Sequence, residues 1–336
     1  SQVWAGARRA KVRLPTYPFQ RADCWIEPGQ APQAEAAPPA RADDLSHWGW
    51  APRWTPRYAP CEVDAAGDLT DAPRESWLIL ADEAGLGDAL AARLRAAGHP
   101  VTLARPGDRF AWAAEDEALL PPEGGREGYD RLLEALRDRG RLPTRVLHLW
   151  LATSGTAHRP GSSFFHRAQE QGFWSLLFLA QSWAEATDAP LRLLVATTGA
   201  LQVRREPLPH PEKATILGPL QVLPREFPGS AAALIDLDPA MGRDALAAAL
   251  LEEALAPPAS TLAALRAGRR LERRWGPAPL PDAAPPLRPG GAVLITGGFG
   301  GIGLTLARRL AREARAPLAL LARRPLPPRE QWDAVL

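Results

Sequence analysis

The sequence predicts an α/β protein with a doubly wound parallel sheet, preceded by an extended arm and followed by the opening unit of a second α/β subdomain. Three observations support this prediction. Helical and strand patterns alternate along most of the 336 residues, proline-rich stretches interrupt them twice, and one strand–turn–helix pattern occurs two times. Such alternation is typical of strands that pair in parallel through helical crossovers.

The chain begins with two segments that predict no packed core of their own. Residues 1–28 contain Pro15 and Pro18, which disfavour a helix, so we expect an extended arm. Its aromatic side chains cannot be buried within the arm, which predicts that it lies along a folded surface. Residues 29–45 are rich in proline and alanine, a composition typical of a linker.

The predicted sheet occupies residues 46–288. Short apolar runs predict strands at 77–81, 101–104, 146–150, 191–196 and 231–237. Apolar residues at helical spacing predict helices at 87–97, 129–139, 163–186 and 243–256. A second proline-rich stretch, residues 276–290, predicts a hinge, and we expect another subdomain to occupy residues 289–336.

An internal repeat relates these two subdomains. Residues 80–94 align without gaps on residues 296–310, with two glycines and an Arg-Leu pair at matching positions. The first copy carries two carboxylates where the second has a glycine and a phenylalanine: Asp82 and Glu83 against Gly298 and Phe299. Two carboxylates at this position would repel a pyrophosphate. We therefore expect only the second copy to bind a nucleotide.

The second copy carries the pattern with the clearest chemistry. An apolar strand pattern at 293–296 leads into a glycine-rich turn and then into a helical pattern over 304–313, with another strand at 318–322. Glycines let the backbone approach a pyrophosphate closely, and the free N–H groups of a helix start face the anion. The complete βαβ spacing favours nucleotide binding over a purely structural glycine turn.

The residue about 20 positions beyond the last glycine of such a turn usually contacts the ribose, as an acid for NAD or an arginine for NADP. Here that residue is Arg323, followed by Arg324, with no acid before Glu330. A guanidinium group can hold a 2′-phosphate that an aspartate would reject, which predicts NADPH over NADH. The alternative is an exposed arginine pair in an arginine-rich chain.

Composition and the remaining candidates exclude several functions. Basic and acidic residues number 40 and 38, without a basic run interleaved with aromatics, so we expect no nucleic-acid partner. The most apolar run, 173–180, is far shorter than the roughly 20 residues that span a bilayer. Cys24 and Cys61 lack metal-ligand spacing, and we find no signal peptide, so we expect no metal, no membrane anchor and a cytoplasmic setting. His148 lies in a strand-like run and is better explained as a hydrogen-bonded core histidine than as a catalytic base. Neither His148 nor His166 has a serine partner in a Gly-x-Ser-x-Gly context, so we reject both as bases.

The spacing Thr-Gly-x-x-x-Gly-x-Gly, which begins at Thr296, resembles the short-chain dehydrogenase/reductase superfamily. Members of that superfamily use a tyrosine as acid, supported by lysine, serine and asparagine. This chain has no Tyr-x-x-x-Lys pattern, no asparagine, and no serine, tyrosine or lysine after Gly303. We therefore assign no catalytic residue and expect the chain alone to be inactive in hydride transfer.

The arm resembles the linker that follows the acyltransferase of modular type I polyketide synthases, through Leu-Pro-Thr-Tyr-Pro-Phe-Gln-Arg at 14–21 and Trp25. Residues 46–288 are similar to the structural subdomain of the ketoreductase in that family, a truncated pseudo-Rossmann fold without nucleotide. The matching part includes Gly-Pro-Leu-Gln-Val-Leu-Pro-Arg-Glu-Phe-Pro at 218–228. Residues 289–336 are similar to the first βαβ unit of the Rossmann-type, NADP-binding catalytic subdomain.

This resemblance implies NADPH-dependent reduction of a β-ketoacyl thioester, carried on the phosphopantetheine of an acyl carrier protein, to a β-hydroxyacyl product. It implies catalytic residues beyond Leu336, a ketosynthase-acyltransferase body and carrier protein as partners, and a homodimer formed through the parent synthase. The alternatives are a non-catalytic pseudo-ketoreductase that braces the synthase and a stand-alone NADP-binding sensor or oxidoreductase. By family role, the cofactor-binding residues would be Thr296, Gly297, Gly298, Phe299, Gly301, Ile302 and Gly303 at the pyrophosphate, with Arg323 and Arg324 at the adenosine phosphate.

Overall fold

The computed structural model describes residues 44–58, 69, 73–153, 162–257, 259, 261–280, 287–288, 290–323 and 328–331. The chain divides into two compact units, Ser1–Leu45 and Ser46–Leu336, and the fold that follows belongs to the second. The predicted arm at 1–28, most of the predicted linker, both cysteines and Arg324 lie outside the described residues.

A ten-stranded mixed sheet forms the centre of the second unit. In chain order its strands are β1 Trp50–Pro56, β2 Trp77–Leu80, β3 Val101–Pro106, β4 Ala111–Ala114, β5 Glu117–Leu120, β6 Arg145–Leu151, β7 Arg192–Thr198, β8 Ala231–Leu237, β9 Leu262–Arg266 and β10 Arg269–Pro277. Their spatial order is β1-β10-β9-β8-β7-β6-β2-β3-β5-β4. Neighbours from β9 to β5 pair in parallel, whereas β1, β10 and β4 pair antiparallel at the margins. The predicted parallel sheet is thus confirmed.

Helices pack on both faces of this sheet. They are α1 Leu86–Ala96, α2 Glu127–Asp138, α3 Ser162–Ala168, α4 Ser175–Ala186, α5 Leu217–Glu226 and α6 Arg243–Leu255, with short 3-10 helices at Leu45–Trp48, Pro211–Ile216 and Arg329–Gln331. One apolar cluster joins α1 and α6 to one face, and another joins α2, α4 and α5 to the opposite face. Alternate residues of each central strand enter opposite clusters, which explains why those strands are mostly apolar.

The single helix predicted over 163–186 is interrupted. A π-helical segment, Gln169–Trp174, separates α3 from α4. Gly172 in this segment lies so close to β6 that an added Cβ would be 2.8 Å from Cδ1 of Leu151. The apolar periodicity of the sequence continues through the segment, so the periodicity alone does not reveal the change of helical form.

The last described part of the chain forms a separate two-stranded parallel sheet, β11 Val293–Thr296 and β12 Leu318–Leu321. Helix α7, Gly301–Arg309, and a π-helical segment, Leu310–Ala314, connect the two strands. Alternate positions of both strands are exposed, including Leu294 at 65%. Among the described residues, no helix has the length and hydropathy that a membrane crossing requires.

Candidate functional site

The two copies of the sequence repeat fold as the same element. In the early copy, β2 leads through a turn into α1 and then into the parallel strand β3, with Trp77 paired with Val101. In the late copy, β11 leads through a turn into α7 and then into the parallel strand β12, with Val293 paired with Leu318. The predicted relation between the two turns is therefore confirmed at the level of fold, and their side chains can be compared position by position.

The late turn depends on glycine for its backbone path. Gly297 has a φ of +66°, a conformation that glycine adopts without strain. The amide of Gly298 donates to the carbonyl oxygen of Leu321 at 3.0 Å, which ties the turn to the end of β12. The amide of Gly300 donates to the carbonyl oxygen of Gly297 at 2.9 Å and closes the turn.

Two further glycines are required because the chain packs against itself. A Cβ added to Gly298 would lie 2.8 Å from Cβ of Leu320, and one added to Gly303 would lie 2.6 Å from the carbonyl oxygen of Gly297. A Cβ added to Gly301, by contrast, would meet no atom within 4 Å. Gly301 therefore faces open space at the start of the helix, where a ligand can approach the backbone.

The first turn of α7 carries amides without acceptors. Its N-cap residue, Gly300, has no side chain to cap the helix. The first helical hydrogen bond runs from the amide of Leu304 to the carbonyl oxygen of Gly300, at 2.9 Å. Within the described part of the chain, no hydrogen bond reaches the amides of Gly301, Ile302 and Gly303. Such donors at the positive end of a helix form an anion-binding site.

In the early turn, a carboxylate of the protein itself accepts hydrogen bonds from the amides at the helix start. Asp82 is buried, and its Oδ1 accepts a hydrogen bond from the amide of Gly87 at 2.7 Å while its Oδ2 accepts one from Leu86 at 3.2 Å. Leu86 and Gly87 align with Ile302 and Gly303, whose amides are bare. Glu83 is exposed and takes no part in this contact. Asp82 thus occupies the anion position itself, whereas the sequence argument had treated both carboxylates alike, as a source of repulsion.

The other predicted cofactor-binding residues lie around the late turn. Thr296 ends β11 and pairs with Leu321, the last residue of β12. Arg323 lies two positions after Leu321, at the edge of the small sheet where the glycine turn also lies, and its side chain is exposed. Phe299 is 37% exposed, and Ile302 is 82% exposed.

Sequence reasoning missed a buried lysine beside the ten-stranded sheet. Lys213 is 1% exposed, and its Nζ donates to the carbonyl oxygens of Leu151 and Thr198, each at 3.0 Å. It therefore fastens the end of β6 to the end of β7. Burial lowers the pKa of Lys213 to about 8, which leaves the ammonium group mostly protonated at neutral pH. The signal available in the sequence was that this chain has only two lysines, Lys11 and Lys213.

His148 is a hydrogen-bonded core histidine, as the sequence predicts. His148 lies fully buried in β6, with its Nε2 2.7 Å from the hydroxyl oxygen of Ser175, which itself donates to the carbonyl oxygen of Gln171. Burial lowers the pKa of His148 to about 4, so the ring is neutral at pH 7. His166 is exposed on α3.

Fold and site together define a two-part Rossmann-type protein in which one turn is closed by its own aspartate and the other presents bare amides. The chain belongs to the ketoreductase region of modular polyketide synthases: residues 75–252 match the family model described as beta-ketoacyl synthase-like, N-terminal, and residues 291–335 match the KR domain model. Both matches agree with the resemblance that the sequence suggested.

Curated relatives are multidomain synthases. The chain is 37% identical, over 52% of its length, to erythronolide synthase EryA3 of Saccharopolyspora erythraea. It is 28% identical, over 92% of its length, to the pikromycin polyketide synthase component PikAIII of Streptomyces venezuelae. The chain spans only 5% and 16% of the length of these two relatives.

Solved structures share the fold. A C2-type ketoreductase from a modular polyketide synthase gives a TM-score of 0.54 at 27% identity, covering 81% of this chain and 53% of that chain. A-type ketoreductases from a modular polyketide synthase give 0.52 at 26%, covering 83% and 53%. The multidomain structure of a keto acid-selecting NRPS module that contains a ketoreductase gives 0.68 at 24%, covering 85% and 24%, and shows likeness of fold alone.

Proposed function

We propose that this chain contributes the scaffold and the NADPH-binding turn of a β-ketoacyl reductase within a polyketide synthase module. The single observation that carries the proposal is the difference between the two turns. The amides of Leu86 and Gly87 are taken by Asp82, whereas the aligned amides of Ile302 and Gly303 have no acceptor among the described residues. An external anion is the natural partner of the second set.

The proposal assigns a part to each segment. Residues 1–28 are the post-acyltransferase arm, 29–45 a linker, 46–288 the structural subdomain, and 289–336 the start of the NADPH-binding subdomain. The separate pairing of β11 with β12 supports the last division. A carrier-protein-bound β-ketoacyl thioester is the proposed substrate, and the ketosynthase-acyltransferase body, the acyl carrier protein and a second parent chain are the proposed partners.

The late turn fits the pyrophosphate of a dinucleotide. Gly297, Gly298 and Gly303 let the backbone fold tightly, and Gly301 leaves the space above the helix start open. The amides of Gly301 and its two successors would donate to phosphate oxygens, with Thr296 and Phe299 at the sides of the turn. Arg323 and Arg324 would pair with the 2′-phosphate.

NADPH, when bound, supplies the hydride. The residues of this chain would bind and orient it. The chain has no Tyr-x-x-x-Lys pattern and no asparagine, so we assign none of its residues to proton transfer. We accordingly predict that the 336-residue chain binds NADPH without reducing a β-ketoacyl thioester.

Titration with NADPH, followed by nicotinamide fluorescence, tests the proposal. Gly301→Asp introduces a carboxylate at the late turn without a steric clash, because a Cβ at this position meets nothing within 4 Å. The new carboxylate would lie beside the pyrophosphate, so we expect affinity for NADPH to fall by about tenfold or more.

Gly242→Asp is the matched control, because Gly242 also lies at a helix start, as the N-cap residue of α6, and an added Cβ there also meets nothing within 4 Å. We expect it to leave NADPH affinity unchanged. Absence of NADPH binding by the parent chain, or equal affinities in the two variants, would reject the proposed site and favour the non-catalytic bracing role.

A further inference from the structure

A cleft of about 270 Å³ lies at the edge of the large sheet where the parallel strands begin. The first residues of three neighbouring strands line it: Arg145 of β6, Arg192 of β7 and Ala231 of β8. The end of α6 and one face of β10 complete its walls. None of the residues proposed to bind NADPH lines this cleft.

The inner wall of this cleft is apolar and rigidly held. It is formed by buried side chains of the strand starts and of α6: Trp77, Val146, Leu193, Ala231, Ala233 and Ala254. The strand residues belong to a fully paired part of the sheet. A hydrocarbon group that enters the cleft therefore replaces water on a preformed apolar surface, which favours its binding.

The polar part of the lining carries an excess of positive charge. Five guanidinium groups line the cleft, those of Arg57, Arg145, Arg192, Arg270 and Arg274. Two carboxylates, Glu253 and Glu272, also line it, and a third, Glu75, pairs with Arg145 and Arg192. Five positive charges against three negative charges leave an excess of two.

The inner arginines are fixed by carboxylates of the protein. The side chain of Arg270 is 9% exposed and donates to both carboxylate oxygens of Glu253, at 2.6 and 2.7 Å. Arg145 donates to Glu75 and to the carbonyl oxygen of Ala254. These two guanidinium groups form the structural base of the cleft.

The outer arginines keep donors for a ligand. The side chain of Arg192 is 42% exposed, and one of its nitrogens contacts Glu75 at 3.1 Å. That of Arg274 is 53% exposed and contacts only the carboxylate of Glu272 within the described chain. A guanidinium group has five N–H donors, so both side chains retain several for an anion at the rim.

We infer that this cleft binds a small organic anion, with a carboxylate or phosphate head held by Arg192 and Arg274 and a short hydrocarbon body packed on the apolar wall. The shared chemistry is an anionic oxygen group on an aliphatic chain. Binding here is independent of the nucleotide turn, because the two sites share no residue.

Calorimetric titration of the full 336-residue chain tests the inference with four probes: hexanoate, hexyl phosphate, hexanol and inorganic phosphate. We expect at least one of the two amphipathic anions to bind at least about tenfold more tightly than hexanol and inorganic phosphate. Only these anions contact both the apolar wall and the arginines at the rim. Whether hexanoate or hexyl phosphate binds more tightly identifies the head group.

Arg192→Gln should weaken binding of the preferred anion by about tenfold or more, since a charge-assisted hydrogen bond is lost. Arg274→Gln is a second variant with the same expectation. Arg131→Gln, which removes an exposed arginine of α2 that pairs with Glu127, is the matched control and should change nothing. No binding of either anion, equal binding of hexanol, or an affinity unaffected by both rim variants would overturn the inference.

Discussion

Removal of the Asp82 carboxylate is the perturbation that most specifically tests how the early turn is built. The carboxylate accepts two backbone hydrogen bonds, at 2.7 Å from Gly87 and at 3.2 Å from Leu86, and the side chain is 3% exposed. Asp82→Ala would leave both amides without an acceptor at the buried start of α1. Hydrogen bonds to charged groups contribute about 1.5–3 kcal/mol each, and loss of a helix cap costs about 0.5–2 kcal/mol.

Because the second bond is long, we expect Asp82→Ala to lower the free energy of unfolding by about 2–4 kcal/mol. Asp82→Asn keeps one acceptor and should cost about half as much. Urea unfolding at pH 7 measures both changes. Glu83→Ala removes the neighbouring exposed carboxylate and should stay within about 0.5 kcal/mol of the parent. If Asp82→Ala is no less stable than Glu83→Ala, the carboxylate does not cap the helix and the account of the early turn fails.

Two further predictions concern His148 and Arg323. Burial lowers the pKa of His148 to about 4 from 6.5, so the unfolded chain takes up a proton first as the pH falls. We expect this difference to remove about 3 kcal/mol of stability between pH 6.5 and pH 4, a component that His148→Gln should lack in urea unfolding. Equal pH slopes in the two proteins would contradict it. Arg323→Asp should reduce the preference for NADPH over NADH by about tenfold or more, because a carboxylate repels the 2′-phosphate and accepts from a ribose hydroxyl. Unchanged selectivity in fluorescence titrations would show that another residue contacts the phosphate.

The central strands could be predicted from the sequence because both of their faces are buried. Each of the five predicted runs corresponds to one of the strands β2, β3, β6, β7 and β8, and these strands are apolar throughout or nearly so. The marginal strands gave no such signal. β10 contains four arginines and a glutamate in nine residues, and β1 contains two prolines, which an edge strand tolerates. Their pairing depends on partners more than 200 positions apart in the chain.

The late turn could be predicted because its requirements are local. A positive φ requires glycine at 297, and close contacts require glycine at 298 and 303, so these structural requirements are visible as glycines in the sequence. The role of Asp82 could not be predicted, because an acid after a strand can point toward a ligand or back to the helix amides. Only the fold decides between the two, and here it turns the carboxylate inward.

The basic cleft, like the role of Asp82, could not be predicted from the sequence. Arg57, Arg145, Arg192 and Arg270 lie far apart along an arginine-rich chain, in which no single arginine stands out. Parallel pairing brings the starts of β6 and β7 together, and antiparallel pairing of β10 with β1 adds the others. Tertiary topology, and not a local motif, creates that site.

The most direct test of the central claim is an amide correlation NMR spectrum of the isotopically labelled chain, recorded with and without NADPH. The claim predicts shifts at the amides of Gly301, Ile302 and Gly303, and none at Leu86 and Gly87, whose amides already donate to Asp82. Shifts at Leu86 and Gly87 with an unchanged late turn would contradict the account.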